Sequence, residues 1–226
     1  SRLTSLMTRK HLSQFILIGF LWGVPYLFMR VAVREWDPSV VVFGRVVIGA
    51  AILFPIAIRR GVVKVTLRGF KWILAYAVFE MCGPWYLITH AETKINSGLA
   101  GLLVATVPIW STIYSSLAGD KTVWHRTRLL GIIVGFIGLV AVVGIESIKG
   151  SADPLSIFMV LLASIGYSYA VMMVQGVLPH VSGIAINAVA MLMTALFYLP
   201  FAIAQWPTHQ ISDGAIRAIV GLGVLS

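Results

Sequence analysis

The run LLGIIVGFIGLVAVVG, residues 129–144, decides the fold: it has no charged side chain, no amide side chain and no proline, and it carries glycines at 131, 135 and 138. It lacks the period-2 alternation of a barrel strand, and in hydrocarbon every backbone N–H and C=O must be satisfied within its own segment. An apolar helix is the structure that remains. Comparable runs recur along nearly the whole chain, each near the roughly 20 residues that cross a hydrocarbon core of about 30 Å. The pattern predicts helices at 12–33, 39–58, 70–89, 97–118, 127–145, 154–174 and 183–204, with an eighth beginning near 215. The fold class is an all-α, multi-span membrane bundle.

Composition excludes the soluble alternatives. Of 226 residues, 59% are hydrophobic and 11% charged, where soluble domains carry about 25% charged residues. The net charge of +9 would point to nucleic acid in a soluble domain, so its placement matters. Eleven lysines and arginines lie in alternate connections: Arg2, Arg9 and Lys10, then Arg59, Arg60, Lys64, Arg68 and Lys71, then Lys121, Arg126 and Arg128. The opposite connections hold Arg34, Lys94 and Lys149 together with Glu35, Asp37, Glu92, Glu146 and Asp153. By the positive-inside rule the N-terminus is expected in the cytoplasm, and the basic charge sets topology rather than nucleic-acid binding. The basic opening SRLTSLMTRKHLSQ reads as a retained first helix, because the apolar segment behind it is too long for a signal peptide and lacks a cleavage site.

Catalytic chemistry finds little material. The single cysteine, Cys82, allows no intramolecular disulfide, the five histidines lie mostly at helix ends, and no HExxH or GxSxG motif occurs. The chain is therefore expected to be no enzyme, with no catalytic group, no metal and no cofactor.

Internal similarity sets helix 1 against helix 6. Gly23, Tyr26 and Met29 in GVPYLFM match Gly166, Tyr169 and Met172 in GYSYAVM at a constant offset. A first repeat over 12–145 and an incomplete second over 154–226 follow. Because each repeat holds an odd number of helices, the second enters from the opposite face, as in secondary transporters that bind substrate where inverted repeats meet.

Two longer stretches carry a family resemblance. LWGVPYLFMRVAVREWDPSVVVFGRVVIGAAILFP (21–55) resembles the opening of EamA-type proteins of the drug/metabolite transporter superfamily, with its Trp-Gly, its proline-bearing turn and an early arginine in helix 2. YLITHAETKINSGLAGLLVATVPIWSTIYS (86–115) and GDKTVWHRTRLLGIIVGFIGLVAVVG (119–144) are similar to the family's third to fifth helices. The resemblance implies ten helices in two inverted five-helix repeats, and export of small metabolites, amino acids or drugs. This chain departs from the pattern by stopping at helix 8 and by carrying Asp120 where glutamate is usual, so it is expected to be a piece of a longer protein.

The candidate site centres on AVFEMCGPWYL, residues 77–87. Glu80 falls near mid-bilayer, where an acid costs about 2.5–3.5 kcal/mol on insertion scales and should face a cavity or a partner charge. Such a carboxyl is a candidate for proton coupling, or for pairing with Arg45 of helix 2. Gly83-Pro84 breaks the same helix and frees a carbonyl, as binding sites in transporters do. Arg45 is expected to turn inward and Arg30 to anchor at the interface. Trp22, Tyr26, Trp85, Tyr86 and Tyr169 supply aromatic surface for substrate; Tyr26 and Tyr169 stand out because they are equivalent in the two repeats. Glycines spaced at Gly98, Gly101 and Ala105, and at Gly131, Gly135 and Gly138, are expected to let helices approach closely.

The expected function is secondary transport of a small molecule by alternating access across a plasma membrane, with a bacterial inner membrane as the expected setting, the lipid bilayer as the other partner and no nucleic acid. Rival readings are a non-transporting receptor or assembly subunit on the same scaffold, and an intramembrane enzyme. The sequence does not fix an oligomeric state.

Overall fold

A computed structural model describes residues 9–120, 125–143 and 153–225, and among them the regular structure is helical throughout. Helix 1 runs Arg9–Ala32, helix 2 Pro38–Arg59, helix 5 Arg126–Val143, helix 6 Pro154–Val177, helix 7 Gly183–Ala204 and helix 8 Asp213–Val224. Helices 3 and 4 are interrupted: helix 3 consists of Phe70–Tyr76, a π-helical stretch Ala77–Cys82 and Gly83–Ala91, and helix 4 of Ser97–Val104 and Val107–Leu117. Four segments, Pro38–Arg59, Ser97–Leu117, Pro154–Val177 and Gly183–Ala204, are long and apolar enough by themselves to cross a membrane.

Short connections make sequential helices alternate in direction, so the bundle has two ends. The basic end holds Arg59, Arg60 and Lys64; the acidic end holds Glu35, Asp37, Glu92 and Asp153. Every described helix that starts at the acidic end is capped by a short polar side chain. Asp37 accepts from the Ser39 amide at 2.8 Å, Asn96 from Leu99 at 2.8 Å, Asp153 from Ser156 at 3.0 Å and Ser212 from Ala215 at 3.3 Å. These caps satisfy amides left free by the first turn.

Two large apolar clusters fill most of the interior, beside a small one at Ala57, Ala185 and Ala188. One gathers Val46, Ile73, Met81, Trp85, Met191 and Tyr198 from helices 2, 3 and 7, with Ala170 of helix 6. The other gathers Met29, Ile88, Leu99, Leu102, Val160 and Leu222 from helices 1, 3, 4, 6 and 8. Tyr167 packs against both and marks their junction. Outward, Leu130, Val134, Leu196 and Ile203 are each at least 60% exposed, as a surface solvated by lipid requires.

The close helix approaches differ from the expected ones. A β-carbon added at Gly101, Gly131, Gly135 or Gly138 would meet nothing within 4 Å, and a groove of about 340 Å³ separates helices 4 and 5 beside Ala105, Pro108, Gly131 and Gly135. Tight contacts fall instead at Gly44 on Ile219, Gly49 on Met191, Gly166 on Phe79, Gly221 on Phe28 and Gly223 on Ile48, among others. Glycine permits approach, but the shape of the opposing side chain decides where it happens.

Candidate functional site

Pro84 cannot donate a backbone hydrogen bond, so helix 3 cannot keep its α register through residues 80–84. The chain widens instead: the Gly83 amide bonds to the Val78 carbonyl, five residues back. This wide turn carries Glu80, and π turns of this kind recur at functional sites. Other helices close on the carbonyls that the widening loosens. The Tyr198 hydroxyl donates to the Cys82 carbonyl at 2.7 Å, and the backbone of Gly166 closes on the Phe79 carbonyl.

Helix 4 breaks next to Pro108 for the same reason. Helix 6 again supplies partners: the Ser164 hydroxyl donates to the Leu103 carbonyl at 3.2 Å and the Ser168 hydroxyl to the Val107 carbonyl at 2.9 Å. Ser164, Gly166 and Ser168 thus hold both broken helices, while Tyr167 between them faces inward.

Between these elements lies a cavity of about 290 Å³ lined by Tyr26 and Met29 of helix 1, Arg45 of helix 2, Glu80, Met81 and Trp85 of helix 3, Val104 and Val107 beside the helix 4 break, Tyr167 and Val171 of helix 6, and Asn187 and Met191 of helix 7. The Arg45 guanidinium lies over the Trp85 ring, 3.5 Å from its centroid, a cation–π contact. Glu80 Oε2 is buried without a hydrogen-bond partner among the described residues. Tyr76 donates its hydroxyl to Asn187 Oδ1 at 3.1 Å, fixing the amide on the cavity wall. The cavity therefore presents an acid, a stacked cation, two phenols and an amide within apolar walls.

Of the site residues expected from sequence, the structure brings Glu80, Arg45, Tyr26 and Trp85 onto this one cavity. The side chain of Trp22 lies outside the described residues. Tyr86 faces away, stacking on Tyr198 with centroids 6.1 Å apart. Tyr169 also faces away, into a lateral groove of about 460 Å³ against Phe79 and Tyr114. The physical reason is helical phase: at 3.6 residues per turn, two residues are about 200° apart, so Tyr167 and Tyr169 occupy opposite faces. Matching Tyr26 to Tyr169 by offset therefore picks the wrong side of helix 6, and Tyr167 takes the inward place. Inward-facing small residues at Ser164 and Ser168, one turn apart around Tyr167, are the signal that could have found it. Asn187, an amide within an apolar helix, was likewise not among the expected residues.

Arg30 is not an interfacial anchor. Its guanidinium donates to the backbone carbonyls of Glu92 and, at 3.2 Å, Ile95, tying the connection between helices 3 and 4 to helix 1. At the same end, Glu35 accepts from both the amide and the hydroxyl of Ser212, at 2.7 and 2.5 Å, and Lys94 pairs with Asp153 at 3.6 Å. Trp36 meets Trp206 edge to face with centroids 5.5 Å apart.

The profile of the EamA-like transporter family matches residues 10–144. "Uncharacterized inner membrane transporter YedA" of Escherichia coli (strain K12) is 25% identical over 150 residues, covering 66% of this chain and 48% of its own length. "Uncharacterized transporter YoaV" of Bacillus subtilis (strain 168) is 26% identical over 223 residues, covering 93% of this chain and 73% of its own. "Protein PagO" of Salmonella typhimurium is 31% identical over 137 residues, 58% of this chain and 42% of that protein. The chain thus spans about half the length of the Escherichia coli relative. One crystal structure superposes with a TM-score of 0.67 at 18% identity, covering 94% of this chain and 74% of that one, which shows a shared fold.

Proposed function

Since this chain belongs to the EamA-like transporter family, we propose that it carries a small amphipathic metabolite across a membrane by alternating access. The observation that supports this most directly is the cavity where Glu80, Arg45, Tyr26, Trp85 and Tyr167 converge beside two broken helices. An acid and a stacked guanidinium in one apolar-walled space suit the two charges of a zwitterion, with the aromatic rings for its side chain. An amino acid or a related amine is the substrate class, export is the direction, and a bacterial inner membrane with a cytoplasmic N-terminus is the setting.

The two-repeat reading draws support from helix packing. Helix 2 packs on 7, helix 3 on 6, helix 1 on 8, helix 2 on 8 and helix 3 on 7. Exchanging 1 with 6, 2 with 7 and 3 with 8 swaps the 3–6 pair with 1–8 and the 2–8 pair with 3–7 and leaves the 2–7 pair as it is, as a two-fold relation between inverted repeats would. Residues 12–145 would form the first unit and 154–226 part of the second, rocking about the cavity.

Glu80 is the proton-coupling group in this scheme. The test is flux in proteoliposomes holding the protein, scanned over a panel of amino acids and amphipathic amines at several pH values. Flux that depends on pH in the wild type and loses that dependence in Glu80→Gln is the expected result. Correctly inserted protein that moves no member of the panel would sink the transport reading; unchanged pH dependence in Glu80→Gln would remove the role of Glu80.

A further inference from the structure

Glu92 is the first residue past helix 3, and the surrounding H-A-E-T-K reads as a solvated turn. The structure buries it completely, at 0% exposure, and neither carboxylate oxygen has a hydrogen-bond partner among the described residues. Arg30 gives its guanidinium to the main-chain carbonyls of Glu92 and Ile95. Lys94, two residues on, pairs with Asp153 at the start of helix 6, and His90 lies against Tyr86. From the connection between helices 1 and 2, Trp36 Nε1 is a buried donor without a described partner.

The location gives this burial a mechanical meaning. Gly83–Ala91 and Ser97–Val104 form a hairpin whose feet are the two breaks, the π turn on one side and Ala105-Thr106 on the other. Glu92 sits at its tip. A hairpin hinged at both feet can lift only if its tip leaves the acidic end, and lifting exposes Glu92 to water.

We propose that Glu92 is a proton-binding site: its carboxyl holds a proton while the acidic end is closed as in this structure, and releases it when the 83–104 hairpin lifts. This rests on the alternating-access reading and deepens it by naming a second proton site, outside the cavity. A charged carboxylate enclosed without hydrogen bonds is strongly disfavoured, whereas the neutral acid is tolerated. Burial pushes the Glu92 carboxyl up to about 8, with the Arg30 charge acting in the opposite direction. The sign follows by linkage. A group whose value is raised in the closed form and ordinary, about 4.3, in the open form stabilises closure below that ordinary value and loses this contribution as pH rises through about 8.

The test is an infrared pH titration of the purified full chain in lipid nanodiscs, reading the carbonyl stretch of protonated carboxylic acids. The expected result is a band that fades with a midpoint near 8, absent in Glu92→Gln, present in Glu80→Gln and shifted to higher pH in Arg30→Gln. A band that survives intact in Glu92→Gln overturns the proposal, as does the lack of any such band, which a bound metal cation in place of the proton would produce. Should Glu92→Gln fail to insert, Arg30→Gln decides, because an unmoved midpoint there also overturns it. The titration reads no flux, so failure of the transport panel and failure of this site are separate outcomes.

Discussion

Gly166 of helix 6 lies so close to the Phe79 carbonyl of helix 3 that a β-carbon at 166 would stand 2.8 Å from that oxygen and 3.2 Å from the Pro84 ring. The opposing atom is backbone, held in the π turn by Pro84, and cannot swing aside. Gly166→Ala is therefore expected to cost about 1–3 kcal/mol, the range for overpacking a filled interior. Gly131→Ala, where a β-carbon meets nothing, should be neutral or gain up to about 1 kcal/mol from helix propensity. Thermal unfolding of the two variants in detergent checks this; equal effects would refute the close contact.

The stacking of Arg45 on Trp85 predicts that charge alone does not replace arginine. Arg45→Lys keeps the charge but loses the planar face, and should lose about 0.5–2 kcal/mol of stability or substrate affinity. Combining it with Trp85→Leu should cost less than the sum of the single changes. A double-mutant cycle on unfolding midpoints measures this, and full additivity would show that the contact contributes nothing.

Ser164 and Ser168 are expected to act together. Each hydroxyl also lies within 3.0 Å of a carbonyl one turn back on its own helix, so each bond to helix 4 is shared. Replacing either by alanine should cost about 0.6–2 kcal/mol, the range for hydrogen bonds between membrane helices. The double variant should loosen helix 4 more than helix 3, seen as faster hydrogen exchange at 103–110 than at 78–84.

Acid should release the clasp between Glu35 and Ser212. The Ser212 hydroxyl, and after it the Ser212 amide, hold the half-exposed Glu35 carboxyl below the usual carboxylate range. A lowered value means the clasp contributes above the ordinary carboxylate range and is lost as pH falls through the lowered one. Exchange at the first turn of helix 8, corrected for its intrinsic pH dependence, should rise on acidification in the wild type. In Glu35→Gln it should be fast throughout; acid dependence that survives in this variant would place the titrating group elsewhere.

Much of the architecture was legible because lipid leaves few options. Helix 7 was expected at 183–204 and runs Gly183–Ala204; helix 3 was expected at 70–89 and runs on to Ala91. Apolar length and alternating charge are enough to place such segments. The break at Gly83-Pro84 was legible too, since proline has no N–H to give. Its form was not, because a π turn and a simple kink differ in which carbonyls are bonded and what packs on them, and here Tyr198, which bonds the Cys82 carbonyl, and Gly166, which packs on that of Phe79, belong to other helices.

By itself, then, the sequence determined a bundle of membrane-crossing helices, its family, and the presence of a carboxylate and an arginine within apolar helices, since hydropathy and proline act locally. Tertiary structure alone decided that Tyr167 and not Tyr169 faces inward, that Arg45 lies on Trp85, and that Glu92 is enclosed rather than solvated. Each of these depends on the rotation of one helix against another. Such rotation is set by packing between distant segments, to which a linear pattern is blind.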